Sequence, residues 1–255
     1  MNNIELNKVA IQSIGIDTIR LPGVGSASAK GSGSLFHKSL VDAWFMSGYS
    51  NDNPPDSISG YKGHELVLKN FAFTPNSGFG GSGQHSGGTD GKKAASSYEG
   101  SLVFDGVDDY AVCDNIPILT DYTVICRRQI WDKQDDADWV LASKSMSYGN
   151  GAFIFEFRDN KRDVIRSYGD TTFVSMKRSD SVSYQTATSY NGTDVLKGAG
   201  IDSSVLHLGN VRPNDTRYLH GAIYYFALYD KSLTPDEIEQ EKIKLNEIWT
   251  KRLNG

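Results

Sequence analysis

The stretch SLVFDGVDDYAVC at 101–113 crowds three carboxylates, Asp105, Asp108 and Asp109, around Gly106. Grouped carboxylates can hold a calcium ion, share a proton in catalysis, or build a turn. Leu102 and Phe104 recur with a period of two before the cluster, and Tyr110 and Val112 do so after it. Such alternation marks two strands. Asp-Gly between strands is turn chemistry, because glycine reaches positive φ and Asp hydrogen-bonds its own backbone. The spacing therefore predicts a hairpin whose Asp side chains keep the tip soluble. Calcium bound by Asp105, Asp108 and Asp109 is the secondary reading. Catalysis comes third, since no base, nucleophile or oxyanion donor lies nearby in the chain.

Other candidate chemistry is thinner. GFGGSG at 78–83 matches a dinucleotide-binding fingerprint, but no strand–helix–strand pattern surrounds it. His37, His64, His85, His207 and His220 show no HxxxH or HExxH spacing, so no zinc site is expected. Cys113 and Cys126 form no CxxC pair and read as buried thiols on neighbouring strands. A retaining glycosidase needs two carboxyls ~5–5.5 Å apart. Glu156 and Asp159, the nearest such candidates, are three apart and would face opposite ways on a strand. The chain is therefore expected not to be an enzyme, and to carry no catalytic residue or cofactor beyond the calcium alternative. Sugar binding asks instead for aromatic faces and planar polar groups. Arg127, Trp131, Trp139, Tyr148 and Tyr168, in loops or on half-exposed strands, are the candidate glycan-binding residues.

The elements that must position these residues are strands. The chain has 255 residues, 38% hydrophobic and 22% charged, with 13 Tyr, 11 Phe and 26 Gly, a balance that favours strands and turns over helices. A net charge of −5 argues against a nucleic-acid surface. No apolar run approaches the ~20 residues of a membrane span, and MNNIELNKVA lacks the pattern of a secretory signal. Folding in a reducing cytoplasm is the expectation. Phe153/Phe155/Phe157, 183–188 and Ala222/Tyr224/Phe226/Leu228 add further period-2 runs. Many short strands indicate a sandwich or jelly roll. Thr234-Pro235-Asp236-Glu237 is a capping box with proline at the first helical position. It predicts a terminal helix whose stripe of Ile238, Leu245, Ile248 and Trp249 packs on the sandwich edge.

The first residues follow another rule. Ile4 and Leu6, Val9 and Ile11, Ile14 and Ile16, and Ile19 and Leu21 form four apolar pairs at a five-residue period. That period fits neither helix nor regular strand. Each unit reads as a short β-edge followed by a polar corner, and so few units bury their apolar face only against neighbours. LPGVGSASAKGSGS at 21–34 reads as a flexible linker of small residues, so residues 1–30 are expected to be an extended docking or oligomerising arm and linker, with residues 31–255 as the main domain; a strand pair folded onto that domain is the alternative.

LVFDGVDDYAVC followed by LTDYTVICRRQIW, then WVLASKS, SYNGTD and LHLGNVR, and finally HGAIYYFALYDKSLTPDEIEQEKIKL resemble successive segments of LamG-like domains of the concanavalin A-like lectin/glucanase superfamily. The resemblance covers roughly residues 100–245. It implies an all-β jelly-roll sandwich with a C-terminal α-helix, a fold used for sugar binding, adhesion and occasional glycan hydrolysis. Where many LamG-like closing strands carry an acidic pair that contributes to a calcium site, this chain has Tyr224 and Tyr225, which weakens the calcium expectation. Residues 40–81 are similar to a segment preceding LamG-like domains in proteins of Bacteroidetes and their crAss-like phages. Together these features imply a virion-surface structural or fibre protein, assembled in the host cytoplasm, that adsorbs to host glycans. Its expected partners are copies of itself, with a homotrimer favoured, other virion proteins on head or tail, and host capsular polysaccharide. A carbohydrate-binding or adhesion module of a Bacteroidetes cell is the alternative, and a glycoside hydrolase comes third.

Overall fold

The computed structural model describes residues 35–80, 98–119, 121–130, 139–143, 154–158, 162–166, 174–177, 182–186, 189–190, 193–194, 204–210 and 216–255; for 130, 139–143, 154–158, 162–166, 174–177, 190 and 193–194 the description is of backbone alone. The arm residues Ile4 to Leu21 lie outside it.

In chain order the described strands are β1 (Leu40–Phe45), β2 (Ser57–Ser59), β3 (Glu65–Lys69), β4 (Gly78–Gly80), β5 (Ser101–Asp105), β6 (Tyr110–Cys113), β7 (Thr123–Ile130) and β8 (Trp139–Ser143). There follow β9 (Ile154–Arg158), β10 (Arg162–Arg166), β11 (Val174–Lys177), β12 (Val182–Thr186), β13 (Ser189–Tyr190), β14 (Thr193–Asp194), β15 (Leu206–Leu208), β16 (His220–Tyr229) and helix α1 (Pro235–Leu253). They build two antiparallel sheets. The first runs β14-β13-β12-β7-β16-β5-β4, with β1 also paired to β16; the second runs β11-β10-β9-β8-β15-β6-β3-β2. The all-β sandwich with a terminal helix is as the sequence predicts.

Between the sheets lies an apolar layer that includes Trp44, Leu66, Phe104, Ala111, Cys113, Cys126, Leu206, Leu208 and Phe226. A second layer sits on the outer face of the first sheet, where Val103, Ile125, Ala222 and Ala227 meet Ile238, Leu245 and Trp249 of α1. The helix therefore covers a sheet face rather than the expected edge. Alternation allows it, because Val103 and Ile125 are the odd residues of strands whose even residues enter the other core. Its start is as read from the sequence: the Thr234 hydroxyl accepts the Glu237 N–H, and the Glu237 carboxylate accepts the Thr234 N–H at 2.8 Å.

Two sequence expectations need correction. β5 and β6 do not pair as a hairpin; β5 lies in the first sheet and β6 in the second, so 106–109 is an arch across the sandwich. On β6, Ala111 and Cys113 enter the core while Tyr110 and Val112 face out. Small side chains suit that position because the Phe104 and Phe71 rings already fill the layer. Likewise Cys113 and Cys126, free and buried as expected, face one core from opposite sheets. The second correction concerns β16. A bulge at Tyr224 shifts the register between Ile223↔Arg128 and Tyr225↔Arg127, and the Tyr224 carbonyl accepts the Met46 N–H at 3.0 Å. The extra residue switches faces, so Ala222 and Tyr224 meet the helix layer while Phe226 and Leu228 enter the inter-sheet core.

Candidate functional site

The centre of the first sheet is closed on both faces: every residue of β16 from Gly221 to Tyr229 is buried. Among the described residues, the outer face of β2, β3 and β6 in the second sheet is only partly covered. Ile58, Leu66, Ala111, Cys113, Leu206 and Leu208 point into the sandwich. Strand alternation therefore turns Ser57, Ser59, Glu65, Val67, Lys69, Tyr110, Val112 and His207 outward. Backbone register aligns them in rows across the sheet: Ser57 with Val67, Val112 and His207, Lys69 with Tyr110, and Ser59 with Glu65. Glu65 and Lys69 are exposed, and Val67, Tyr110 and Val112 are half-buried. The strip has an apolar floor, one aromatic ring and polar groups at both ends. From Glu65 to Lys69 it measures about 13 Å at the usual rise per strand residue, room for a short oligosaccharide.

Its polar groups are held in place. The Glu65 carboxylate accepts from the Ser57 hydroxyl at 2.6 Å and from the Ser59 hydroxyl. Those two bonds keep its pKa below the ordinary value, so it remains an anion at neutral pH. His207 is buried and projects from the same face, and neither ring nitrogen reaches a partner at hydrogen-bond geometry. Burial holds its pKa below the histidine value although the nearby Asn210 side chain favours the imidazolium, so the ring is neutral at pH 7.

The acidic arch adjoins this strip directly after Lys69 and before Tyr110. The three Asp side chains bring oxygens within 4.8 Å of one another, yet they differ in setting: Asp108 is exposed, Asp105 intermediate and Asp109 fully buried. Asp109 accepts the Asp105 N–H and the Ser77 hydroxyl, each at 2.9 Å, and Asp105 accepts the Val107 N–H at 2.7 Å. Gly106 has φ +81°, and a Cβ there would meet His220 at 2.8 Å. The cluster is the predicted turn, except that one carboxylate is a buried staple and not part of a soluble tip. Calcium takes six to eight oxygens. Both Asp109 oxygens and one of Asp105 already accept hydrogen bonds from the chain, so the described oxygens fall short of that set.

Burial, aided by the Asp105 and Asp108 charges, pushes the Asp109 carboxyl from 3.8 up to about 7. Between those values the folded chain holds a proton that the unfolded chain has released, so stability falls as pH rises from about 4 to 7. At about 1.4 kcal/mol per unit the effect amounts to a few kcal/mol. Asp109→Asn is expected to flatten that slope in urea titrations between pH 4 and 8 and to be the more stable form at pH 8. A wild-type chain whose stability is level over this range would contradict the assignment.

The sequence-based candidates fall in several places. Arg127 lies on β7 in the helix seam, its guanidinium 4.3 Å from the Trp249 ring centroid and 5.1 Å from that of Tyr224, with a 2.7 Å bond to Asn246 Oδ1. Trp249 in turn donates its indole N–H to the Gly100 carbonyl at 2.8 Å. Trp139 begins β8, where only its backbone is described; Trp131, Tyr148 and Tyr168 lie outside the described residues, as does Asp159. β7 ends at Ile130 beside Gly221, next to the His220–Asp105 pair, so the chain leaves the first sheet at the arch end of the sandwich. The strip is not marked in the sequence, since ELVLK has three apolar residues in a row and YAVC is apolar throughout. Which parity is buried depends on the partner sheet.

No family model matches the chain, and no curated protein matches it. Solved structures match its fold. Trypanosoma rangeli sialidase in complex with sialic acid gives a TM-score of 0.52 at 14% identity, over 84% of this chain and 34% of the sialidase chain. The same sialidase in complex with 2,3-difluoro-KDN gives 0.52 at 14%, over 92% and 37%. A chain of botulinum neurotoxin type C, a toxin whose uptake depends on interaction with two ganglioside molecules, gives 0.48 at 10%, over 82% and 51%. This chain spans about a third of the sialidase chains. At such identity the likeness shows the fold alone, a β-sandwich. It corrects one expectation: a fold shared with sialidase chains is shared with enzymes, so the reading that this chain is not an enzyme does not stand.

Proposed function

We propose that the chain is a lectin-like, glycan-binding module of the LamG-like kind on a virion-surface fibre protein, and that glycan lies on the outer strip of the second sheet. The observation that carries this reading is the asymmetry of the sandwich. α1 covers the centre of the first sheet, whereas the described part of the second presents Tyr110, Val112 and Val67 as a half-buried floor between fixed polar groups. Aromatic and apolar floors suit the C–H faces of sugars, and polar rims hold their hydroxyls. The fibre context is supported by the pentad pattern of Ile4 to Leu21, which suits self-association, a trimer being favoured, or docking on other virion proteins. It is also supported by the resemblance of residues 40–81 to phage and Bacteroidetes sequences.

The full chain, titrated against purified Bacteroidetes capsular polysaccharides with and without chelator, is expected to bind at least one of them saturably. Binding that survives chelator matches the hydrogen-bonded state of the arch carboxylates. Absence of binding across the panel would overturn the reading.

A further inference from the structure

Resting on the glycan-binding reading, we infer that the strip selects an uncharged, hydroxyl-rich glycan and rejects carboxylated or sulfated chains. Its fixed polar groups are acceptors. Both serine protons, from Ser57 and Ser59, are committed to Glu65, so the two hydroxyl oxygens offer lone pairs to a ligand, and an ionised carboxylate can only accept. His207, in register with Val112, is buried and lies beneath the strip, so Glu65 and the two serines are the polar groups presented at its surface. Sugar hydroxyls supply the donors that such a surface lacks.

Charge points the same way. One end of the strip carries Glu65, and the other adjoins exposed Asp108 and half-buried Asp105; among the described residues of the strip Lys69 is the one cation. An anionic glycan laid from Glu65 to Tyr110 would bring its charges against carboxylates at both ends. Recognition of carboxylates or sulfates uses Arg forks or clustered N–H donors, neither of which the described strip contains.

The test uses the full chain at physiological ionic strength with two sets of probes: laminarin, mannan and galactan as neutral polymers, and hyaluronate, heparan sulfate and polysialic acid as anionic ones. At least one neutral polymer is expected to bind, with every anionic polymer at least tenfold weaker. Glu65→Gln, an exposed change that leaves the fold intact by circular dichroism, is expected to improve anionic binding threefold or more, with the gain shrinking as salt rises. Anionic polymers that bind as tightly as neutral ones would overturn the selectivity while leaving the lectin-like reading in place. Failure of all six polymers, together with the capsular panel, would overturn that reading itself.

Discussion

Asp42→Ala is expected to destabilise the chain by about 3 kcal/mol, the scale for removing one partner from a buried, charged hydrogen-bond cluster. Asp42 lies on β1 and is fully buried. Its Oδ1 accepts the N–H groups of Ala43 and Lys62, both at 2.7 Å, and its Oδ2 accepts the His64 N–H at 2.8 Å and pairs with His64 Nδ1 at 2.9 Å. One carboxylate thus fixes the 60–64 turn between β2 and β3 against a strand of the other sheet. Gly60 is required there, since a Cβ would fall 2.4 Å from the carboxylate. Three of the partners are obligate donors, which separates two variants. Asp42→Asn must aim an amide N–H at one of these donors, so it is expected to recover little of the loss, whereas Asp42→Glu keeps the charge and fails on length. Urea denaturation checks all three; an Asn variant as stable as the wild type would show that the carboxylate does not organise the turn.

The second large effect concerns binding. Tyr110→Ala is expected to weaken glycan binding by about 30-fold, the equivalent of about 2 kcal/mol for a central aromatic contact. Tyr110 is half-buried, while the neighbouring Ala111 and Cys113 carry the β6 contribution to the core. Its loss should therefore leave the denaturation midpoint nearly unchanged. Calorimetry with the tightest capsular polysaccharide reads the affinity, and Tyr110→Phe, which keeps the ring, is expected to retain most of it. Equal loss in the Phe and Ala variants would mean that the hydroxyl and not the ring face makes the contact.

Elements were more legible in the sequence than their partners. The helix start could be read from Thr234 to Glu237 because capping is local, decided by residues three apart. The DGVDD segment was legible as a turn for the same reason. That it crosses between sheets depends on which edge of β16 receives β5, a contact more than a hundred residues away in sequence. The Tyr224 bulge was hidden for a related cause: Ala222, Tyr224, Phe226 and Leu228 keep a perfect period of two in sequence, and only the pairing with β7 shows the face switching between them. Asp42 did leave a signal, a lone acid within the apolar run LVDAWF, which a charge-poor strand tolerates only where donors converge on it. Of the site, the arch carboxylates were found by spacing. Glu65 and Tyr110 were not, since alternation marks two faces and cannot say which one a helix will cover.

Hydroxyl-radical footprinting of the full chain with and without the bound polysaccharide reads directly which side chains the glycan covers. Tyr110, Val112 and Val67 are expected to lose labelling, while Ile118 on the β6–β7 connection and Ile243 on α1, 67% and 60% exposed, keep theirs. Protection of Ile243 or Ile118 with Tyr110 labelled as before would place the glycan elsewhere and contradict the assignment of the open strip.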